Sequence, residues 1–239
     1  MPEISIVIPI HNEENYLVDS INRLHTELEK VNVNDYEIVL VENGSKDRTQ
    51  EIARELAEKT GKIRPITLEK ADYGAALKEG MIVSDGDYII NYDLDYWDVS
   101  FLRKTVFLLK EFEYNVIIGS KNMLLSKDER HPVRRIISQG FRLFLFLFFG
   151  LKVSDTHGIK AWKNDDNLKR LIRETRFTRH IFDTELVIRC QKDGLNIIEL
   201  PMTIVENRPS TTKTIIKRIP EAIIDLIWLW WELNIKKST

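Results

Sequence analysis

Ile89-Ile90-Asn91-Tyr92-Asp93-Leu94-Asp95 is an apolar run that ends in two carboxylates separated by one residue. In an extended chain alternate residues point the same way, so Asp93 and Asp95 are expected to reach one cation at the C-terminal end of a strand. That is the edge at which open α/β sheets bind ligands. Asp-x-Asp alone is more often a solvated turn, and the stretches around it carry the weight. Upstream, Ile4 to Ile10 reads as a buried strand that breaks at Pro9 and runs into His11-Asn12-Glu13-Glu14, ahead of a helical pattern through Leu17, Ile21, Leu24 and Leu28. A second strand, Tyr36 to Val41, stops at Glu42-Asn43-Gly44-Ser45-Lys46-Asp47, where glycine supplies the turn and Ser45 or Asp47 can cap the next helix. Three strands thus deliver polar residues at their C-terminal ends.

The first half continues this alternation: strand 4–10, helix 13–30, strand 36–41, helix 46–59, strand 63–68, helix 72–83, strand 87–92. It is the βαβ rhythm of an α/β nucleotide-binding sheet. Neither GxGxxG nor GxxxxGK[ST] occurs, so a nucleotide is held by other means. The second half reads as helix 98–113, strand 116–119, a basic connection from Lys121 to Arg135, an apolar helix, the segment Asp155 to Trp162, a helix near 164–174, a helix from the His180–Leu186 segment to Lys192, and a strand 196–200. One catalytic domain over 1–207 is expected, followed by a basic loop and amphipathic helix over 208–239.

A chain of 239 residues with 43% apolar composition supplies one large core. A net charge of −2 gives no global basic field, so no nucleic-acid partner is expected. The single cysteine, Cys190, reads as a buried thiol, and the chain opens on a strand without the pattern of a signal peptide, which suits a cytoplasmic setting. No window holds the roughly 18 apolar residues that a bilayer span requires. Two segments are nevertheless strongly apolar: Phe141 to Leu151, with Arg134, Arg135 and Arg142 before or inside it, and Ile223 to Ile235, with Trp228, Trp230 and Trp231 and then Lys236 and Lys237. Indoles and basic residues beside a short apolar helix suit a membrane interface. Packing of the two segments on each other or at a subunit interface is the alternative.

Ile8-Pro9-Ile10-His11-Asn12-Glu13-Glu14, Glu42 to Asp47, Asp93-Leu94-Asp95, Asp155-Thr156-His157-Gly158, Phe182-Asp183-Thr184-Glu185-Leu186 and the stretch Arg208 to Lys213 together resemble family 2 inverting glycosyltransferases of the GT-A fold. Within that family the pattern looks most like the dolichyl-phosphate mannose and glucose synthases, which move a sugar from a nucleotide to a polyprenyl phosphate. The resemblance implies a mixed α/β sheet flanked by helices. It places Pro9, His11 and Glu13 along the nucleotide and Glu42 or Asn43 near the base or ribose. Asp93 and Asp95 would hold Mg²⁺ or Mn²⁺ against the diphosphate of a nucleotide-diphosphate sugar. Lys121, Arg134, Arg208 and Lys213 match basic positions that grip phosphates. The sequence departs from the pattern at three places: Glu42-Asn43 replaces a pair of aspartates, Lys121 replaces an arginine and loses its bidentate fork, and Trp97 stands where a polar residue often follows the metal motif.

Breaking a sugar–diphosphate bond requires the developing charge on the leaving group to be stabilised, and an oxygen-ligated divalent ion does so. With no Cys/His cluster of the zinc type, Mg²⁺ or Mn²⁺ is the expected metal. Arg208 and Lys213 follow Pro201 and suit a basic loop that closes over phosphate. A phosphate acceptor is already ionised, its second pKa being about 6, and needs no base. A hydroxyl acceptor needs one, for which Asp183 and Glu185 are the candidates. The plainer reading of both is capping of the helix that they begin. His157 and His180 read as structural or near phosphate, and His25 as a helix-surface residue. The sequence therefore points to polyprenyl-phosphate glycosylation by an enzyme attached peripherally at the cytoplasmic face of a membrane, with a membrane subunit or a second copy as partner. A carbohydrate hydroxyl acceptor and a non-catalytic scaffold are the competing readings.

Overall fold

Apolar residues alternate between the two faces of each central strand, and that alternation builds two cores, one on either side of a sheet. The computed structural model describes residues 1–121, 123, 127–128, 132–179, 181–204 and 212–235. Its elements run β1 (Ile4–Ile10), α1 (Leu17–Lys30), β2 (Tyr36–Asn43), α2 (Thr49–Thr60), β3 (Ile63–Leu68), α3 (Tyr73–Val83), β4 (Tyr88–Asn91), α4 (Val99–Glu111), β5 (Val116–Ser120), β6 (Lys127–Asp128), α5 (Pro132–Phe149), β7 (Lys160–Lys163), α6 (Asp166–Glu174), α7 (Phe182–Lys192), β8 (Ile197–Pro201), β9 (Thr203–Ile204) and α8 (Thr212–Asn234). Seven strands form one sheet in the order β3-β2-β1-β4-β7-β5-β8, and β6 pairs with β9 beside it. The sheet is parallel except for β7, which runs antiparallel to both β4 and β5. This is the mixed α/β architecture expected from the sequence.

Ile6, Ile8, Ile38, Leu40, Ile90 and Ile117 face the core covered by α1, α2 and α4. Val7, Val39, Val41, Ile89, Val116 and Ile118 face the other, closed by α3, α6 and α7 with the inner sides of α5 and α8. Burial on both faces explains the near-continuous apolar strands.

Between β1 and β4 the chain changes the direction in which it builds the sheet, and there the two strands end at different heights. Their pairing stops at Val7 opposite Asn91, and the Tyr92 amide makes the last bond, to the Val7 carbonyl at 3.0 Å. Successive residues of a strand bond to opposite neighbours, so Pro9, two residues beyond Val7, turns its donor-less nitrogen to the side where β4 has already finished. This is a topological switch point, where open α/β sheets form their ligand crevice.

Several boundaries differ from the sequence reading. Strand β7 was not anticipated, because Lys160-Ala161-Trp162-Lys163 shows no apolar alternation; Lys160 is buried through an ion pair instead. Helix α1 starts at Leu17 rather than 13, since Tyr16 and Leu17 both donate to the Glu13 carbonyl in a preceding turn. The last helix starts at Thr212, well ahead of the apolar Ile223–Ile235 segment, and continues through Pro220. Helices α5 and α8 pack together, yet each also has an exposed apolar side: Ile136, Leu143, Phe146 and Leu147 on α5, and Ile224, Ile227 and Trp228 on α8. Among the described residues no helix is long and apolar enough to cross a membrane.

Gly158 shows how tightly the antiparallel insertion is packed. A Cβ built there would lie 1.9 Å from the Gly119 carbonyl oxygen, so any side chain forces β5 away. Gly158→Ala is expected to destabilise the fold by about 1–3 kcal/mol, read as a lower urea midpoint with an unchanged slope.

Candidate active site

The loops after β1 and β2 are stitched to each other by side chains acting on backbone. Asn12, at φ 55°, donates its amide to Ser45 Oγ at 2.9 Å and accepts from the Lys46 amide through Oδ1 at 2.8 Å. The Glu13 amide donates to Thr49 Oγ1 at 2.7 Å, and the Glu14 amide to Asp47 Oδ2 at 3.2 Å. Asp47 accepts from the Thr49 amide, but the cap anticipated for α2 from Ser45 or Asp47 is not formed: the N-cap position is Arg48, without a side-chain capping bond. Asn43 Nδ2 donates to the Ile10 carbonyl at 3.0 Å, and His11 Nδ1 lies 2.8 Å from the Asn43 carbonyl oxygen. Glu42 is buried and accepts from the Ser45 amide. Pro9, His11, Glu13, Glu42 and Asn43 therefore gather at the C-terminal ends of β1 and β2. Gly44, at φ 68°, has no room for a side chain, because a Cβ would sit 2.8 Å from the Ala71 nitrogen.

Asp93 and Asp95 lie at the same edge, but not in an extended strand. Asp93 and Tyr96 form a bridge, the Tyr96 amide donates to the Asp93 carbonyl at 3.2 Å, and Leu94 turns inward to 4% exposure. Leu94 is buried within this turn, and the Asp95 charge is felt at Asp93 across the turn rather than along a pleat. Asp93 is partly buried and Asp95 exposed. Burial, with the charges of Asp95 and Asp183 nearby, raises the Asp93 pKa, while a hydrogen bond from Tyr73 and the charge of Lys160 oppose the rise.

Asp183 does not cap α7: Ile181 is the N-cap position and has no side-chain cap. Asp183 instead lies 3.0 Å from Lys160 Nζ, an ammonium at 1% exposure that also donates to the Gly158 carbonyl at 2.8 Å. The Asp183–Lys160 contact is an ion pair without hydrogen-bond geometry. Glu185 is wholly buried and accepts from the Arg176 and Phe177 amides while pairing with Arg189 at 2.7 Å. It is a structural clamp. Lys121 is also turned inward, paired with Asp155 at 3.0 Å. Arg134 and Lys213 fall in the first turns of α5 and α8. Arg208 and His180 lie outside the described residues.

Sequence reasoning missed Lys160 and Tyr73. The only signal for Lys160 was its place five residues after Asp155 in a segment left unassigned, and for Tyr73 its place after Asp72, whose carboxylate caps α3 through the Ala75 amide. Two surface grooves, of about 510 Å³ beside Trp228 and about 860 Å³ beside Trp97, lie outside the carboxylate cluster.

The donor set at the crevice is carboxylate oxygen, which suits a hard divalent cation. Among the described residues no three His, Cys, Asp or Glu stand close enough to hold a metal by themselves. That fits an ion whose remaining ligands come from substrate phosphates and water, the usual state of Mg²⁺ in phosphate sites.

The profile of Glycosyl transferase family 2 matches residues 5–171. The chain belongs to glycosyl transferase family 2. Among curated relatives it is 29% identical to the human Dolichyl-phosphate beta-glucosyltransferase over 248 residues, covering 97% of this chain and 72% of that protein. It is 25% identical over 238 residues to Glycosyltransferase AglD of Haloferax volcanii, covering 98% of this chain but only 38% of the longer relative. Among solved structures, the mannosyltransferase PcManGT from Pyrobaculum calidifontis, in complex with GDP-Man and Mn²⁺, superposes with a TM-score of 0.59 at 17% identity, over 91% of this chain and 61% of that one. That likeness bears on the fold, the GT-A arrangement.

The Lys121–Asp155 pair makes a testable statement about pH. Burial works against ionisation of Asp155, but the Lys121 charge and the His157 amide outweigh it and hold the carboxyl below its ordinary value. A lowered folded pKa contributes stability above the unfolded value of about 3.9, and that stability is lost as pH falls through the folded value. Urea midpoints of the wild type and Asp155→Asn are expected to differ near neutrality and to converge in acid.

Proposed function

We propose that this family 2 glycosyltransferase moves glucose or mannose from a nucleotide-diphosphate sugar to a polyprenyl or dolichyl phosphate, with inversion at the anomeric carbon. The observation that carries the reading is the acidic turn Asp93–Tyr96, set at the crevice where β1 outruns β4. The acceptor's phosphate oxygen attacks the anomeric carbon as the bond to the nucleotide diphosphate breaks on the opposite face. Asp93 and Asp95 would hold Mg²⁺ or Mn²⁺, which as a Lewis acid takes up charge on the departing diphosphate. The stitched loops of His11–Glu13 and Glu42–Asp47 would seat the nucleoside.

A phosphate acceptor is favoured over a hydroxyl by the state of Asp183. Asp183, the base candidate for a hydroxyl acceptor, is engaged with the buried Lys160, and this supports a phosphate acceptor, which needs no base. Arg208 and Lys213, close in sequence to the start of α8, would supply positive charge to the phosphates. The likeness to the human Dolichyl-phosphate beta-glucosyltransferase supports the same acceptor. The exposed apolar sides of α5 and α8 supply an interfacial surface at which such a lipid resides. Attachment is then peripheral, at the cytoplasmic face, with a membrane subunit or a second copy as a further partner.

The test is incubation with radiolabelled nucleotide sugars, Mn²⁺ or Mg²⁺ and a short polyprenyl phosphate, counting label in the organic phase. Label is expected with the wild type and not with chelator. Asp95→Ala should lower transfer on the order of 100-fold, whereas Asp183→Asn, once shown to fold despite the unpaired Lys160 it leaves, should retain most of it. Loss of transfer in a folded Asp183→Asn equal to that in Asp95→Ala would favour a hydroxyl acceptor. Trp228→Glu with Ile227→Glu should move the protein from liposome pellet to supernatant, and unchanged sedimentation would remove the interfacial assignment.

A further inference from the structure

Tyr73 begins α3, and its hydroxyl donates to Asp93 Oδ1 at 2.8 Å. The ring is 42% exposed, so apolar burial does not hold it there. Its support is unusually firm. Asp72, the preceding residue, accepts from the Ala75 amide at 3.0 Å, the Arg179 amide at 2.7 Å and Thr178 Oγ1 at 2.6 Å. Gly74, the following residue, lies so close to the chain before α7 that a Cβ would sit 2.8 Å from both the Arg179 nitrogen and Phe182 Cβ. The start of α3 is thereby fixed to the segment that leads into Asp183.

The chemistry of the donor is the second point. Asp93 feels the charges of Asp95 and Asp183, and this repulsion favours swinging its carboxylate away. A lysine or arginine in place of Tyr73 would restrain Asp93 but would also cancel charge that a cation needs. A phenol restrains it and, being neutral, leaves that charge in place. A hydrogen bond to one carboxylate oxygen leaves the other as a ligand, the way outer partners orient metal-binding carboxylates. We propose that Tyr73 is a positioning residue that presets Asp93 for a divalent cation. The inference rests on the metal-dependent reading above.

The experiment compares the full chain with Tyr73→Phe, which keeps the ring and removes only the hydroxyl. Free Mn²⁺ is followed by electron paramagnetic resonance during titration in the presence of UDP or GDP, and melting is recorded without metal. The expected result is a Mn²⁺ dissociation constant raised about tenfold with the metal-free melting temperature unchanged. A dissociation constant within twofold of the wild type overturns the inference, as does a parallel fall in metal-free melting temperature, which would mark the bond as structural. If the wild type itself binds no Mn²⁺ with either nucleotide, the metal-dependent reading fails first.

Discussion

Like charge held in one place is the constraint around which this molecule is arranged. Asp93, Asp95 and Asp183 come from a turn after β4 and from the first turn of α7, and they influence one another at the sheet's C-terminal edge. Self-repulsion of this kind has to be contained by structure. Here the turn is anchored by buried Leu94, Asp93 is tied to Tyr73, and Asp183 is matched to the interior ammonium of Lys160. A hard donor set of this kind has a natural complement in a divalent ion carrying phosphates.

The scaffold accounts for that placement. A parallel half in the order β3-β2-β1-β4 leaves its loops at one edge, and the early end of β4 opens the gap that Pro9 faces. Antiparallel β7 then brings Lys160 beside α7, while Gly158 lets β7's approach pass close against β5. The ion pairs Lys160–Asp183 and Lys121–Asp155 are both largely withdrawn from solvent. In such settings removal of one partner is costly because the other remains buried and charged.

The βαβ half was legible because its strands are buried on both faces and its helices carry clear apolar stripes, as in Leu17, Ile21, Leu24 and Leu28. The acidic pair was legible as neighbouring carboxylates at the end of β4, but its geometry was not. Nothing in Asp93-Leu94-Asp95 states that Leu94 turns inward to close a turn instead of alternating along a strand. The roles of Asp183 and Glu185 were not legible either, because their partners Lys160, Arg176 and Phe177 are brought to them by tertiary contacts. Strand β7 was hidden by its lysines, and the early start of α8 by Pro220, which argues locally against a helix.

The most direct test of the account is calorimetric titration of the full chain with a nucleoside diphosphate, UDP and GDP in turn, with Mn²⁺ present and then with chelator in its place. The account predicts saturable heat for at least one nucleotide that disappears in chelator. Binding of equal strength in chelator would contradict it, because the acidic turn would then play no part in holding the diphosphate.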